Sequence, residues 1–299
     1  MQNIIVIVGP TGVGKTKLSI ELAKKLNAEI INGDSVAIYK GLDIGSAKPS
    51  IEEQEGIPHH LLDIKEVEES YTVFEYQKDC RAKIEEITSR GKRVIIVGGT
   101  GLYIKAALYN YQFTEGTTYN EYNDLSNEDI LERIKKNYSG ILPEVQNRKR
   151  LVRLLNKVEN DEEITNLKDE CMYPITVIGL TAQREILYQR INNRVDKMLE
   201  NGLLEEVTSL KDKYNDSRIL NTGIGYKEFR DYLFNNKSLE EVISEIKTDS
   251  RHFAKRQFTF FNHQFNTKWI EVDFIDFSKT IKEVEDTIKE LNYEMHPLE

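Results

Sequence analysis

At 299 residues the chain can fill a full α/β core with a smaller unit beside it, and one large domain carrying an insertion is expected. Its formal charge of −9 excludes indiscriminate attraction to phosphate backbones, so any nucleic acid must be met by a local basic face. The two cysteines, Cys80 and Cys171, stand far apart and outside any C-x-x-C pair, which argues against a disulfide or zinc scaffold.

The first apolar run, Ile4 to Val8, begins almost at Met1, and no stretch approaches a bilayer span, so a cytoplasmic protein with no signal peptide and no membrane partner is expected. The run opens directly into Gly9-Pro10-Thr11-Gly12-Val13-Gly14-Lys15-Thr16, a complete G-x-x-x-x-G-K-[ST] loop. Successive backbone N–H groups of such a loop wrap a diphosphate, the lysine supplies a point charge, and the threonine hydroxyl can hold Mg²⁺. Leu18, Leu22, Ala23 and Leu26 follow at helical spacing, so the loop has a buried strand before it and a helix after it. The chain handles a phosphorylated molecule.

Residues 28–34 read as a short strand ending in Asp34. Val73, Tyr76, Cys80, Ile84 and Ile87 then repeat at helical spacing until Gly91. Another buried strand, Arg93 to Val97, opens into Gly98-Gly99-Thr100-Gly101. Strands alternating with helices predict a P-loop-like parallel sheet flanked by helices, with ligands beyond the carboxyl ends of the strands. The P-loop, Asp34-Ser35 and Thr100 are therefore expected to converge on one crevice.

Tyr109 to Asp124 is rich in Tyr, Asn and Thr, and Ser126 to Tyr138 reads as an amphipathic helix with a serine cap. These predict a small, mainly helical insertion at residues 113–145 within a core formed by residues 1–112 and 146–299. Arg148-Lys149-Arg150-Leu151-Val152-Arg153 packs positive charge into an acidic protein, although such a run is often only a solvated helix face. Tyr173 to Leu180 resumes the strand pattern, and helices follow through Ile191, Val195, Met198 and Leu199, then Leu203, Val207 and Leu210. Asn221 to Lys227 is a glycine-containing loop. Arg251 to Gln257 is expected at the end of a further helix on which Val242, Ile246, Phe253, Gln257 and Phe261 share one face.

A P-loop alone leaves kinase, nucleotide hydrolase and transferase open, because each must neutralise a polyphosphate. The strand ending at Asp34 lacks the D-x-x-G run of a GTPase switch, which weighs against a non-catalytic nucleotide switch. On residues alone, a small-molecule ATP-binding kinase is the leading alternative.

Six segments then carry a family resemblance: Gly9 to Thr16, Asp34-Ser35 with Ile38 to Pro49, Pro58 to Asp63, Gly98 to Tyr103, Gly223 to Tyr226, and Ala254 to Gln257. In that order they resemble the tRNA dimethylallyltransferases of bacterial type. The resemblance implies transfer of a dimethylallyl group from dimethylallyl diphosphate to N6 of the adenosine just 3′ of the anticodon, with Mg²⁺ as cofactor, a tRNA anticodon stem-loop as partner and a monomeric enzyme. An exocyclic amine is a weak nucleophile, so a carboxylate must accept its proton, and Asp34 is the candidate base. A Mg²⁺ role for Asp34 is the alternative. Lys15 and the P-loop from Gly9 to Thr16 would hold the diphosphate, with Thr16 on the metal.

By the same resemblance Thr100 would bond near the reacting base and Arg194 would contact the diphosphate. Their plain alternatives are a helix cap and a surface ion-pair residue. The tRNA-facing segments would be Asp34, Ser35, Val36 and Ala37; Lys149, Arg150, Leu151, Val152 and Arg153; Thr222, Gly223, Gly225, Tyr226 and Lys227; and Lys255, Arg256 and Gln257 onward to Asn262. Ala37, Phe260 and Asn262 depart from the residues usual in the family. A relative that prenylates free adenylate would have no need of Lys149, Arg150 and Arg153.

Overall fold

The computed structural model describes residues 3–111, 122–140, 142, 144–160 and 170–295. In chain order the elements are β1 (Ile4–Val8), α1 (Lys15–Leu26), β2 (Ala28–Asn32), β3 (His59–His60), α2 (Val73–Ser89), β4 (Arg93–Val97) and α3 (Gly101–Leu108). After them come α4 (Asn127–Asn137), α5 (Arg148–Glu159), β5 (Ile175–Thr181), α6 (Arg184–Glu200), α7 (Leu203–Ser209), α8 (Phe229–Phe234), α9 (Leu239–Gln264), β6 (Thr267–Glu271) and α10 (Phe277–Met295).

All six strands pair in parallel, in the order β3-β2-β4-β1-β5-β6. All five residues of β1 are buried, because helices cover both faces of a parallel sheet. The two-residue side-chain period divides its isoleucines and valines: Ile4, Val6 and Val8 join one core layer with Val94, Ile96 and Val177, while Ile5 and Ile7 join the other with Ile95, Ile178 and Leu180. The second layer is closed by Leu18 and Leu22 of α1 and by Val284 and Ile288 of α10. Residues of α2, α3, α6, α7 and α9 fill the first. The expected parallel α/β class is borne out.

Local chemistry sets the helix starts. Thr72 with Glu75, Ser126 with Asp129 and Ser238 with Glu241 form capping boxes at α2, α4 and α9, in which each side chain satisfies a backbone donor of the other residue.

Several sequence expectations change. The chain divides into two compact units, Met1–Tyr109 with Cys171–Glu299, and Asn110–Glu170, so the insertion is wider than 113–145. The reason is α5: its Leu151, Val152 and Leu155 pack on Ile130 and Ile134 of α4 and form the second unit's core. Most of the Tyr/Asn-rich segment, residues 112–121, lies outside the described residues. Arg251 to Gln257 lies in the interior of the 26-residue α9, not at a helix end. Strands β3 and β6 had no sequence forecast. The first has two residues, and the second has the burial pattern of an edge, with Lys268 and Glu271 exposed.

Candidate active site

The site is built in the first unit, at the carboxyl ends of the parallel strands. The P-loop leaves β1 through three glycines with positive φ: Gly9 at 136°, Gly12 at 82° and Gly14 at 98°. Gly9 admits no side chain for a second reason. A Cβ there would sit 2.4 Å from the Leu180 carbonyl oxygen of neighbouring β5. Lys15 folds back over the loop, donating to the carbonyls of Gly9 at 2.9 Å and Pro10 at 2.8 Å.

Loops after β2 and β4 abut at Gly33 and Gly98, where a Cβ on Gly98 would fall 2.1 Å from the Gly33 carbonyl carbon. The approach lets the Gly33 N–H donate to Val97 O at 2.7 Å and the Thr100 N–H donate to Gly33 O at 3.0 Å. Asp34 therefore emerges just past the end of β2. Its N–H donates to Asn32 Oδ1 at 3.0 Å, and its Oδ1 accepts from the Val36 N–H at 2.9 Å. Asp34 Oδ2 takes no further hydrogen bond among the described residues. Thr100 stands at the N-cap position of α3 but makes no side-chain cap bond. Its hydroxyl instead accepts from the Ser35 N–H at 3.0 Å and donates to Ser35 Oγ at 3.2 Å, tying the β2 and β4 loops together.

These groups line one crevice of about 600 Å³ with Gly12, Gly14, Lys15, Thr16, Asp34 and Thr100. Helix α6 supplies the opposing wall through Arg190, Ile191, Arg194, Val195 and Met198, spaced to lie on one face. Arg194 Nη2 donates to Ser46 O at 3.4 Å, and burial, with Asp34 opposing it, holds the guanidinium below its ordinary value. The surface ion-pair alternative for Arg194 does not describe this position. Lys15 is lowered to about 7, chiefly by burial and then by the Arg194 charge, while Asp34 pulls the other way. A negative charge brought between these two desolvated groups would favour the charged form of both.

Arg190 had no sequence assignment. Its Nε donates to Gly12 O at 2.9 Å and its guanidinium lies over the Phe274 ring at 3.9 Å, so it braces the P-loop. The available signal was its spacing, four residues before Arg194 on the same helix face. Lys48 was also unassigned. Its buried ammonium bonds Tyr39 O at 2.9 Å, Asp43 at 2.7 Å and Asp63, joining the two segments Ile38 to Pro49 and Pro58 to Asp63.

Among the residues expected to meet RNA, Ser35, Val36, Ala37, Thr222, Gly223, Gly225, Lys227, Arg256 and Gln257 line the crevice. Lys255 and Arg256 are exposed on α9 beside His252 and His263. Three expected contacts are corrected. Tyr226 is fully buried, its hydroxyl donating to Glu206 at 2.7 Å, so its side chain cannot touch a docked strand. Leu151 and Val152 are 0% and 1% exposed inside the second unit, where their apolar side chains are worth more in the core than in water. Arg150 and Arg153 are exposed on the same helix, and the Lys149 side chain lies outside the described residues. Gln257 lines the crevice although it is buried, donating to Gly99 O at 3.1 Å.

The doubly covered parallel sheet and the glycine-rich turn from β1 into α1 define a P-loop α/β protein with a deep, cationic crevice. The family model described as IPP transferase matches residues 37–264, and the chain belongs to that family. A tRNA dimethylallyltransferase of Bacillus cytotoxicus is 46% identical over 287 residues, spanning 91% of this chain and 90% of that one. Of solved structures, the full-length tRNA isopentenylpyrophosphate transferase of Bacillus halodurans superposes with a TM-score of 0.76 at 39% identity, covering 97% of this chain and 96% of that one. A eukaryotic dimethylallyltransferase acting on tRNA reaches a TM-score of 0.76 at 29% identity over 91% of this chain and 74% of that one.

Proposed function

We propose that the protein transfers the dimethylallyl group of dimethylallyl diphosphate to N6 of the tRNA adenosine immediately 3′ of the anticodon, releasing diphosphate. The observation that carries this reading is the pairing in one crevice of an anion-seeking end, Lys15 with the P-loop amides and Arg194, and a carboxylate, Asp34, with one oxygen pinned and the other unengaged. The names of the relatives supply the donor and acceptor classes.

The chemistry assigns the roles. As the allylic carbon leaves oxygen, the diphosphate gains negative charge, which Lys15, Arg194 and the N–H groups of Gly12 to Thr16 stabilise. The N6 lone pair forms the new C–N bond, and its proton passes to Asp34. Thr100 holds Ser35, and with it the start of the Asp34 loop, at the β4 edge of the crevice. The described residues contain no cluster of three or more His, Cys, Asp or Glu suited to a metal. The Thr16 hydroxyl and diphosphate oxygens are hard donors of the kind Mg²⁺ prefers, and that ion would add charge neutralisation to the leaving group.

For the amine to reach this crevice, the target base must turn out of its stack. Ser35 to Ala37, Thr222, Gly223, Lys227 and Arg256, which line the crevice, are the proposed contacts to that base, and Lys255, Arg150 and Arg153 are candidates for the phosphate backbone. The test is mass spectrometry of nucleosides from unmodified tRNA incubated with the protein, dimethylallyl diphosphate and Mg²⁺. An adenosine heavier by one dimethylallyl unit is expected. A product made only from free adenylate, or phosphorylated products from ATP, would overturn the proposal.

A further inference from the structure

Glu206 of α7 carries an unusual load for a helix-surface carboxylate. Its Oε2 accepts from the backbone N–H groups of Asp43 at 3.0 Å and Ile44 at 2.8 Å, and its Oε1 accepts from Gly45 N–H at 3.1 Å and Tyr226 Oη at 2.7 Å. Three consecutive amides and a phenol therefore converge on one side chain. No lysine, arginine or histidine forms an ion pair with it among the described residues, so its charge is balanced by these four donors. The turn it holds is closely packed as well: a Cβ on Gly45 would sit 2.5 Å from Cζ of Tyr226.

The turn also fixes the residue after it. Ser46 offers the carbonyl that Arg194 reaches at 3.4 Å, and this is the only hydrogen bond Arg194 makes among the described residues. Gly45, Ser46 and Ala47 line the same crevice as Lys15 and Arg194. A guanidinium with a single weak anchor keeps its other N–H donors for a ligand, but its placement then depends on that anchor.

We infer that Glu206 is a positioning residue for Arg194: by gathering the amides of the 43–45 turn it fixes the Ser46 carbonyl, and so sets the guanidinium where a diphosphate meets it. This rests on the proposed role of the crevice as a diphosphate site. Glutamate suits the task and its neighbours do not. Glutamine would turn an NH₂ group against two of the donors, and aspartate is one methylene too short to reach all four.

The test is calorimetric titration of the full-length protein with inorganic diphosphate and Mg²⁺, for wild type, Glu206→Gln, Glu206→Asp, Arg194→Ala and each Glu206 variant combined with Arg194→Ala. Each Glu206 variant is expected to weaken diphosphate binding about tenfold alone, the scale of one unsatisfied donor, and less than about twofold once Arg194 is gone. The aspartate variant keeps the charge and serves the cycle if the glutamine variant fails to fold. A purely structural Glu206 would weaken binding equally in both backgrounds, and that result would overturn the inference. So would variants that bind as wild type does. Wild-type protein that binds no diphosphate would instead bring down the function itself.

Discussion

Asp34 and Lys15 line one crevice, and substitution separates the roles proposed for them. In Asp34→Asn the amide oxygen still accepts from the Val36 N–H, so the loop is retained while the base is lost. Turnover at saturating substrates should fall on the order of a hundred-fold or more, with little change in tRNA affinity. Near-normal turnover would remove Asp34 from proton transfer and favour its alternative role beside Mg²⁺. Lys15, lowered to about 7, is largely neutral at pH 8 without a bound anion beside it. A bound diphosphate favours the ammonium and raises its value, so binding takes up a proton above pH 7, and affinity falls as pH rises through that window. Calorimetry at pH 8 in two buffers of different ionisation enthalpy should count up to about one proton taken up, and Lys15→Arg, which stays charged, should abolish that uptake. An unchanged proton count in the variant would refute the assignment.

At the scale of elements, α5 makes the clearest lesson. Its Arg148 to Arg153 run was legible as a basic helix, but which of its residues are buried and which face water was not, because that depends on where α4 lies. Arg148 turns its guanidinium onto the carbonyls of Leu125 at 2.9 Å and Tyr122 at 2.6 Å, and Leu151 is fully enclosed. Leu151→Ala should cost about 2–5 kcal/mol of local stability, and Arg150→Ala should cost less than about 0.5 kcal/mol. Hydrogen exchange would locate the first loss in residues 122–160 and leave β1, β4 and β5 protected; exchange of equal size in both variants would contradict this packing. Helix α6 teaches the converse. Arg190 and Arg194 were both readable as one helix face, yet only the folded chain shows both on the crevice wall, one bonded to the Gly12 carbonyl of the P-loop and the other to the Ser46 carbonyl.

For the molecule as a whole, the sheet edge contributes a pH dependence unconnected with the site. Glu29 on β2 is 1% exposed; burial raises its value, but hydrogen bonds from His60, Lys92 and Arg90 outweigh that and leave it below the ordinary carboxylate range. A depressed carboxylate stabilises the fold above its unfolded value and loses that contribution as pH falls through its folded value. Stability should therefore drop as pH falls below about 4.5, with a smaller acid dependence in Glu29→Gln. The substitution should also cost about 2 kcal/mol at neutral pH, less than a fully buried pair because Arg90 and Lys92 are partly in water. Chemical denaturation across pH measures both, and parallel curves for the two proteins would exclude Glu29 as the source.

The sequence by itself determined what depends on neighbours along the chain. Each buried strand reads as an apolar run, the P-loop's glycines and lysine fall within eight residues, and the capping boxes need three-residue spacings, so fold class and the P-loop end of the crevice are legible along the chain. Tertiary structure decided what depends on distant segments meeting. It buried Tyr226, Leu151 and Val152, which had been expected to face RNA, and widened the insertion by giving α5 to α4. It also closed Glu206 onto a turn 161 residues away from it in sequence. A carboxylate on a helix looks the same in sequence whether it faces water or three backbone amides, because burial and hydrogen bonding belong to the packed chain and leave no local pattern.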